Sequence, residues 1–209
     1  MTHPDYRGRG LMGRLFETML RDIDAGFETS LLFTENPNLY SKFGFQIVPE
    51  YYFVSSYRHR EGNAEKGVRR LNVFEPSDTR LINELLQIRT PPSEHFFPLY
   101  YAPSFYLNLY DPLAQERVYY AKELHAVLIF AVNNDTLELY DVIAPILPKL
   151  ADICAQIPAP FSKIALYFSP DRFANVSWTA VPDRTTAHLM VRGRMDAHSD
   201  FKYPETAKF

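Results

Sequence analysis

Residues 1–15 read MTHPDYRGRGLMGRL, a glycine-punctuated turn with two arginines that runs straight into an amphipathic pattern. Apolar residues recur at Leu11, Leu15, Met19, Leu20 and Ile23, and the pattern stops at Gly26. This is helical spacing with a glycine terminator. Gly8, Gly10 and Gly13 allow backbone N–H groups to converge on an anion, and the helix that follows offers its positive end. Arg7 and Arg9 add charged donors suited to phosphate, with Leu11 and Met12 opening the helix behind them. A pyrophosphate-bearing ligand fits that chemistry; a surface turn carrying a solvated basic patch has the same letters. Such turns ordinarily follow a strand, yet only Met1, Thr2 and His3 precede this one.

Outward from the turn, ETSLLFTE (28–35) is a short apolar run expected to be a buried strand. NPNLYSKFG (36–44) places Pro37 in a helical first turn and Gly44 as its C-cap. FQIVPEYYFVSSYR (45–58) is aromatic and β-branched, hence a strand, with Pro49 marking a bulge or an edge. Residues 1–58 therefore spell loop, helix, strand, helix, strand. HREGNAEKG (59–67) is polar and free of large apolar residues, as a linker would be.

Beyond the linker, VRRLNVFEP (68–76) is expected as a strand and SDTRLINELLQIRT (77–90) as a helix with Ser77 or Asp78 at its N-cap. HFFPLYYAPSFYLNLY (95–110) is proline-broken and aromatic, with a short helix after Pro103; it suits a core cluster, a pocket wall or a subunit contact alike. Strands follow at 116–123, 125–132 and 136–144, the last two joined by the hairpin turn NNDT. A helix at 146–157, strands at 163–170 and 187–195, and a tail at 196–209 complete the pattern.

Composition bounds the function. The 209 residues carry a net charge of −3, which lacks the basic field that nucleic-acid binding needs. No apolar run is long enough to span a bilayer, and HPDYRGRG is polar where a signal peptide would be apolar. A lone cysteine, Cys154, forms no internal disulfide and sits on an apolar helical face. A cytoplasmic protein without membrane or nucleic-acid partners is the expectation. The six histidines (His3, His59, His95, His125, His188, His198) show no ligand spacing, so no metal is expected, and Ser93-Glu94-His95 has triad letters without triad geometry.

HPDYRGRG, together with Tyr40 in NPNLYSKFGF thirty residues after Gly10, resembles the GNAT (GCN5-related N-acetyltransferase) family. Arg7 and Gly10 match the family's R/Q-x-x-G-x-G/A pyrophosphate loop; Met12 stands where the family has its last glycine or alanine, and Gly13 follows one step later. The resemblance implies an α/β, mixed-sheet acyltransferase fold. It implies that acetyl-CoA lies between two splayed strands with its pyrophosphate on the amides of Arg7 to Gly13, and that Asn36 takes the family's asparagine position. Thr2 and His3 correspond to the end of the entering strand, whose backbone holds the pantetheine arm. It further implies that an amine attacks the thioester directly and that Tyr40 protonates the departing thiolate. Tyr40 is equally placed to be a core-edge ring packing on Phe43 and Phe45. Glu17, Asp22 and Glu35 are the carboxylates near enough in sequence to serve as base, and each is also a simple solvated side chain.

The resemblance makes residues 1–58 the C-terminal half of a GNAT domain, 59–67 a linker, and 68–209 a second, degenerate GNAT-like module with a tail, as in tandem members. In the second module ILPKLADICAQI (146–157) holds neither glycine nor arginine, so no phosphate cradle is expected there. The missing front half leaves a sheet edge bare. Three explanations are open: a start assigned at an internal methionine, a sheet completed by the second region or a homodimer partner, or a relative that no longer catalyses. The function implied is acetyl transfer from acetyl-CoA to an amine of a small molecule or peptide, with a non-catalytic binding or regulatory protein as the alternative.

Overall fold

The computed structural model describes residues 3–59, 67–98, 101–195 and 200–208. Met1, Thr2 and all of the expected linker except His59 and Gly67 lie outside them. Along the described chain run α1 (Leu11–Asp24), β1 (Thr29–Thr34), α2 (Asn38–Ser41), β2 (Gln46–Ile47), β3 (Tyr51–His59) and β4 (Arg69–Arg70). Then come α3 (Pro76–Ile88), α4 (Ala102–Asn108), α5 (Pro112–Gln115), β5 (Val118–Ala121), β6 (Ala126–Asn133) and β7 (Thr136–Ile143). The last are α6 (Leu150–Ala155), β8 (Phe161–Leu166), β9 (Thr179–Pro182) and β10 (His188–Gly193).

These elements form two units, Met1–Pro49 with Arg184–Ala197 and Glu50–Asp183 with His198–Phe209. The boundary differs from the expected one at 58. The stretch 45–58 is two strands rather than one, because Pro49 has no N–H to give to a ladder. On its near side β2 stays with the first unit, and Val48 N–H donates to Leu189 O at 3.0 Å. On its far side β3 pairs with β8 and β9 in the second unit.

The first unit holds an antiparallel sheet of order β1-β10-β2. β10, a strand from the far end of the chain that was expected in the second module, pairs with one side of β1, and β1 remains an edge strand among the described residues. Gly193, at φ 94°, ends β10 where a Cβ would strike the backbone of Glu28. Below the sheet, Leu20, Phe45 and Met190 form a small buried core with Phe16, Leu32, Tyr40 and Phe43 packed against it. The apolar stripe of α1 is divided. Phe16 and Leu20 face this core, whereas Leu15 is 73% exposed and Leu11 and Met19 are exposed as well.

The second unit is built on a seven-stranded mixed sheet, β4-β5-β6-β7-β8-β3-β9, antiparallel except where β7 and β8 run parallel. Its core includes Leu128, Leu137, Leu139, Ile153, Ile164 and Leu166, all fully buried. The β6–β7 turn is the expected hairpin, with Asn134 and Asp135 both at positive φ. Other expectations are corrected. The strand at 68–76 shrinks to Arg69–Arg70, and β9 had no expectation at all. The helix at 146–157 shrinks to α6, since Pro148 disfavours helical backbone before it. Pro76 opens α3 as its first residue, so Ser77 and Asp78 lie inside the helix, and Asp78 instead binds Arg69 (2.8 and 3.0 Å) and the Asn72 amide (2.9 Å). The tail is structured where described: Phe201, Lys202, Tyr203 and Ala207 are buried.

Candidate functional site

The arginine–glycine turn is held locally. Tyr6 N–H donates to His3 O at 3.0 Å and Arg7 N–H to Pro4 O at 3.1 Å, closing a single 3-10 turn over Pro4–Tyr6. Gly8 (φ 75°) and Gly10 (φ 67°) then take the left-handed conformation that other residues rarely adopt. Gly10 caps α1, whose first bond runs from Arg14 N–H to Gly10 O at 3.2 Å. The amides of Gly8, Arg9, Gly10, Leu11, Met12 and Gly13 consequently donate to no described residue. Six consecutive free donors at the positive end of a fourteen-residue helix can hold an anion.

His3 through Gly10 are exposed. His3 sits edge-on to Tyr6 at 6.0 Å, its Nδ1 3.7 Å from Asp5 Oδ2, and the Arg9 guanidinium lies over the Tyr6 ring at 5.2 Å. Gly13 lies within α1 rather than in the turn, and a Cβ there would meet Lys42 Nζ at 3.8 Å and Phe43 at 3.9 Å, ordinary contacts. Asn36 lies between β1 and α2, where its amide donates to Thr34 Oγ1 at 3.0 Å and its carbonyl accepts from Leu39 at 3.2 Å. Thr2 is outside the described residues.

Tyr40 is on α2, half-buried, edge-on to Phe16 at 5.4 Å and to Phe45 at 6.4 Å. Among the described residues its hydroxyl has no hydrogen-bond partner. Phe16 also packs on Phe43 at 4.8 Å, so the helix of the loop and the helix of Tyr40 share one aromatic cluster. That cluster meets α1 about 8 Å along the axis from its first residue. Of the candidate bases, Glu17 lines a cleft of about 460 Å³ with Lys42, Phe43 and Arg192. Asp22 and Glu35 are solvent-exposed. In the same cleft Asp24 is paired with Arg192, whose hydrogen bonds hold its carboxyl below the ordinary range.

The second unit carries polar groups that the sequence did not announce. Asp141, fully buried on β7, accepts from both terminal nitrogens of Arg89 (2.6 and 3.1 Å), from the Tyr101 hydroxyl, from Thr206 Oγ1 (3.1 Å) and from the Val142 amide (2.7 Å). Burial alone would push Arg89 toward its neutral form, but the charge and hydrogen bonds of Asp141 and Tyr101 outweigh it and hold the guanidinium charged. Burial, and then Asp141, raise the Tyr101 hydroxyl well above its usual range. Lys202, also fully buried, reaches Asp183 (2.7 Å), Glu50 (3.0 Å) and Glu205 (3.3 Å). Charges so deep need remote partners, and no local pattern reveals those. Burial pushes the Cys154 thiol up to about 12, which leaves it inert.

Among the described residues no cluster of three or more histidine, cysteine, aspartate or glutamate side chains could hold a metal, and no helix is long and apolar enough to cross a membrane. Among curated proteins no relative matches. Solved structures that this chain matches include a GCN5-related N-acetyltransferase from Kribbella flavida at 18% identity, spanning 92% of this chain and 50% of that one with a TM-score of 0.45. Another is Eis1 from Mycobacterium abscessus, at 13% identity over 91% of this chain and 53% of that one, with a TM-score of 0.50. The chain spans about half the length of these solved structures. The likeness to the second of these is one of fold alone, a mixed α/β architecture. The family model described as an acetyltransferase (GNAT) domain matches residues 1–48, the stretch that contains the open amides, α1, β1 and Tyr40. The similarity to the GNAT acetyltransferase domain therefore lies in residues 1–48, less than a quarter of the chain.

Proposed function

We propose that the chain acts as a cytoplasmic N-acetyltransferase that moves an acetyl group from acetyl-CoA to an amine of a small molecule or peptide. The observation that carries this reading is the run of six open amides from Gly8 to Gly13, inside the stretch that matches the GNAT domain. The residues present fit such a cosubstrate, because no atom lies within 4 Å of where a Cβ would be at Gly8 or Gly10, and a phosphate can approach the backbone there. Arg7 to Gly13 would hold the pyrophosphate, the backbone of Thr2 and His3 would meet the pantetheine arm, and Asn36 would take the family's asparagine position. The cosubstrate supplies a thioester-activated acetyl group. Tyr40 would hold the proton needed by the leaving thiolate, its hydroxyl being uncommitted and its ring fixed by Phe16 and Phe45. The larger unit serves as a GNAT-like module without a phosphate cradle of its own, and a second copy of the chain is the partner proposed for the open edge of β1.

Calorimetric titration of the full chain with acetyl-CoA tests this. Saturable binding that weakens about tenfold in Arg7→Ala is expected, since each charge-assisted contact to phosphate contributes about 1.5 kcal/mol or more. A folded chain that takes up no acetyl-CoA overturns the reading. The packing of Tyr40 into the aromatic cluster favours a second reading, a protein that binds the cosubstrate and transfers nothing. Tyr40→Phe separates the two. Binding kept with acetylation of an amine panel lost supports catalysis, whereas no acetylation by the wild type leaves a binding protein.

A further inference from the structure

In the second unit the group around Asp141 stands at the wall of a cavity. A hollow of about 570 Å³ lies between α3, the segment 91–98 and the start of α4, with Leu86, Arg89, Pro91, Phe97, Tyr101 and Ala102 among its walls. Hollows of some 300–1,000 Å³ hold small organic ligands. This one has a fixed aromatic corner. The rings of Phe97 and Tyr101 stand 5.5 Å apart at 66°, and the Arg89 guanidinium carbon lies 4.6 and 4.8 Å from their centroids. Asp141 holds both Arg89 and Tyr101 by their polar ends and is itself held by Thr206. A buried ion pair seldom stabilises a fold more than apolar packing would; here it sets the positions of two wall side chains.

The chemistry of the lining restricts the occupant. None of the described lining residues is acidic, so nothing there neutralises a cation. The charge of Arg89 is already answered by Asp141, so an incoming anion would have to compete with a carboxylate that accepts two guanidinium bonds. What remains is apolar and aromatic surface and two carboxamides, Asn83 and Gln87, one turn apart on α3. Asn83 Oδ1 accepts from the Tyr106 hydroxyl at 2.7 Å, which leaves its amide nitrogen to donate. Arg89 Nε is a further buried donor with no acceptor among the described residues. We propose that this cavity binds a small uncharged aromatic molecule bearing a carbonyl or amide group. Its ring packs against Phe97 and Tyr101 and its amide meets the carboxamides of α3. The site does not depend on acetyl-CoA binding in the first unit.

Three probes of one size and different charge test it on the full chain: N-phenylacetamide, phenylacetate and the phenethylammonium ion, each titrated by ligand-observed NMR. The neutral amide is expected to bind saturably and at least tenfold more tightly than either ion. Ala102→Trp, which fills the hollow, abolishes that binding. Should this variant lose the near-UV circular dichroism of the wild type, the solvent-exposed Gln87→Leu decides, with amide affinity down at least threefold. Equal affinity for the three probes, preference for an ion, no binding of the amide, or undiminished binding by a folded filled variant would each overturn the proposal.

Discussion

β7 and β1 show how differently the two units use apolar residues. Of the eight residues of β7, six are buried, and β6 beside it buries five in succession. Of the six residues of β1, none is fully buried, although TSLLFT is as apolar in its middle as LELYDV. The same contrast holds for helices: α6 hides Leu150, Ile153 and Cys154 completely or nearly so, whereas α1 leaves Leu15 largely in water. Periodicity states that a face is apolar and says nothing of what covers it. The open amides of the candidate site thus sit in the unit with the smaller core, and ligand-binding segments are commonly drawn from the less stable end of a protein.

The largest expected effect lies in the second unit. Asp141→Ala leaves Arg89 charged and buried with its main partner gone, which costs about 3–5 kcal/mol. Native-state hydrogen exchange reads this as lost protection in β6 and β7. If protection in α1 falls by the same amount, the two units unfold as one and the contrast between them is broken. The ion pair of Asp24 with Arg192 provides the control. It has bidentate geometry too, but it is open to solvent, and Asp24→Asn should leave the exchange pattern unchanged.

A smaller effect sharpens the comparison within α1. Phe16 and Leu15 are neighbours in sequence and differ in what they touch. Phe16 meets Tyr40, Phe43 and Phe45 at ring separations of 5.4, 4.8 and 6.0 Å. Phe16→Ala should cost about 2 kcal/mol, below the range for fully buried phenylalanines because this ring is only partly buried. Leu15→Ala should cost under about 0.5 kcal/mol. Denaturant midpoints followed by exchange in α1 measure both. Equal losses would mean that Leu15 is covered in solution.

The sequence made local structure legible and long-range pairing opaque. α1, β1 and the β6–β7 hairpin follow from glycine placement, an apolar run and two turn residues, all within a few positions of where they act. Insertion of β10 between β1 and β2 joins Leu31 to Val191 and has no local signal. Nor has the burial of Lys202, whose partners Glu50 and Asp183 are distant in the chain; DFKYPETAKF has the composition of a tail. At the candidate site the motif pointed to Arg7, Gly10 and Tyr40; the structure puts Gly10 at the cap of α1 and Tyr40 on α2. It gave no warning that Phe16 would anchor Tyr40, because that contact depends on how α1 and α2 pack.

An effect of the opposite sign is expected next to Met12, where this sequence leaves the family pattern. Gly13 falls one position after the expected glycine or alanine and lies inside α1, with ordinary contacts where a Cβ would be. Glycine there costs the helix about 1 kcal/mol relative to alanine. Gly13→Ala should therefore stabilise the first unit by up to that amount, seen as slower exchange in α1. Acetyl-CoA affinity should be unchanged, because alanine keeps the N–H that the proposed pyrophosphate would meet and the positive φ values belong to Gly8 and Gly10. A loss of affinity with the helix intact would mean that the ligand approaches Gly13 more closely than a methyl group allows. The pyrophosphate would then be seated one residue further into the helix than the motif alone suggests.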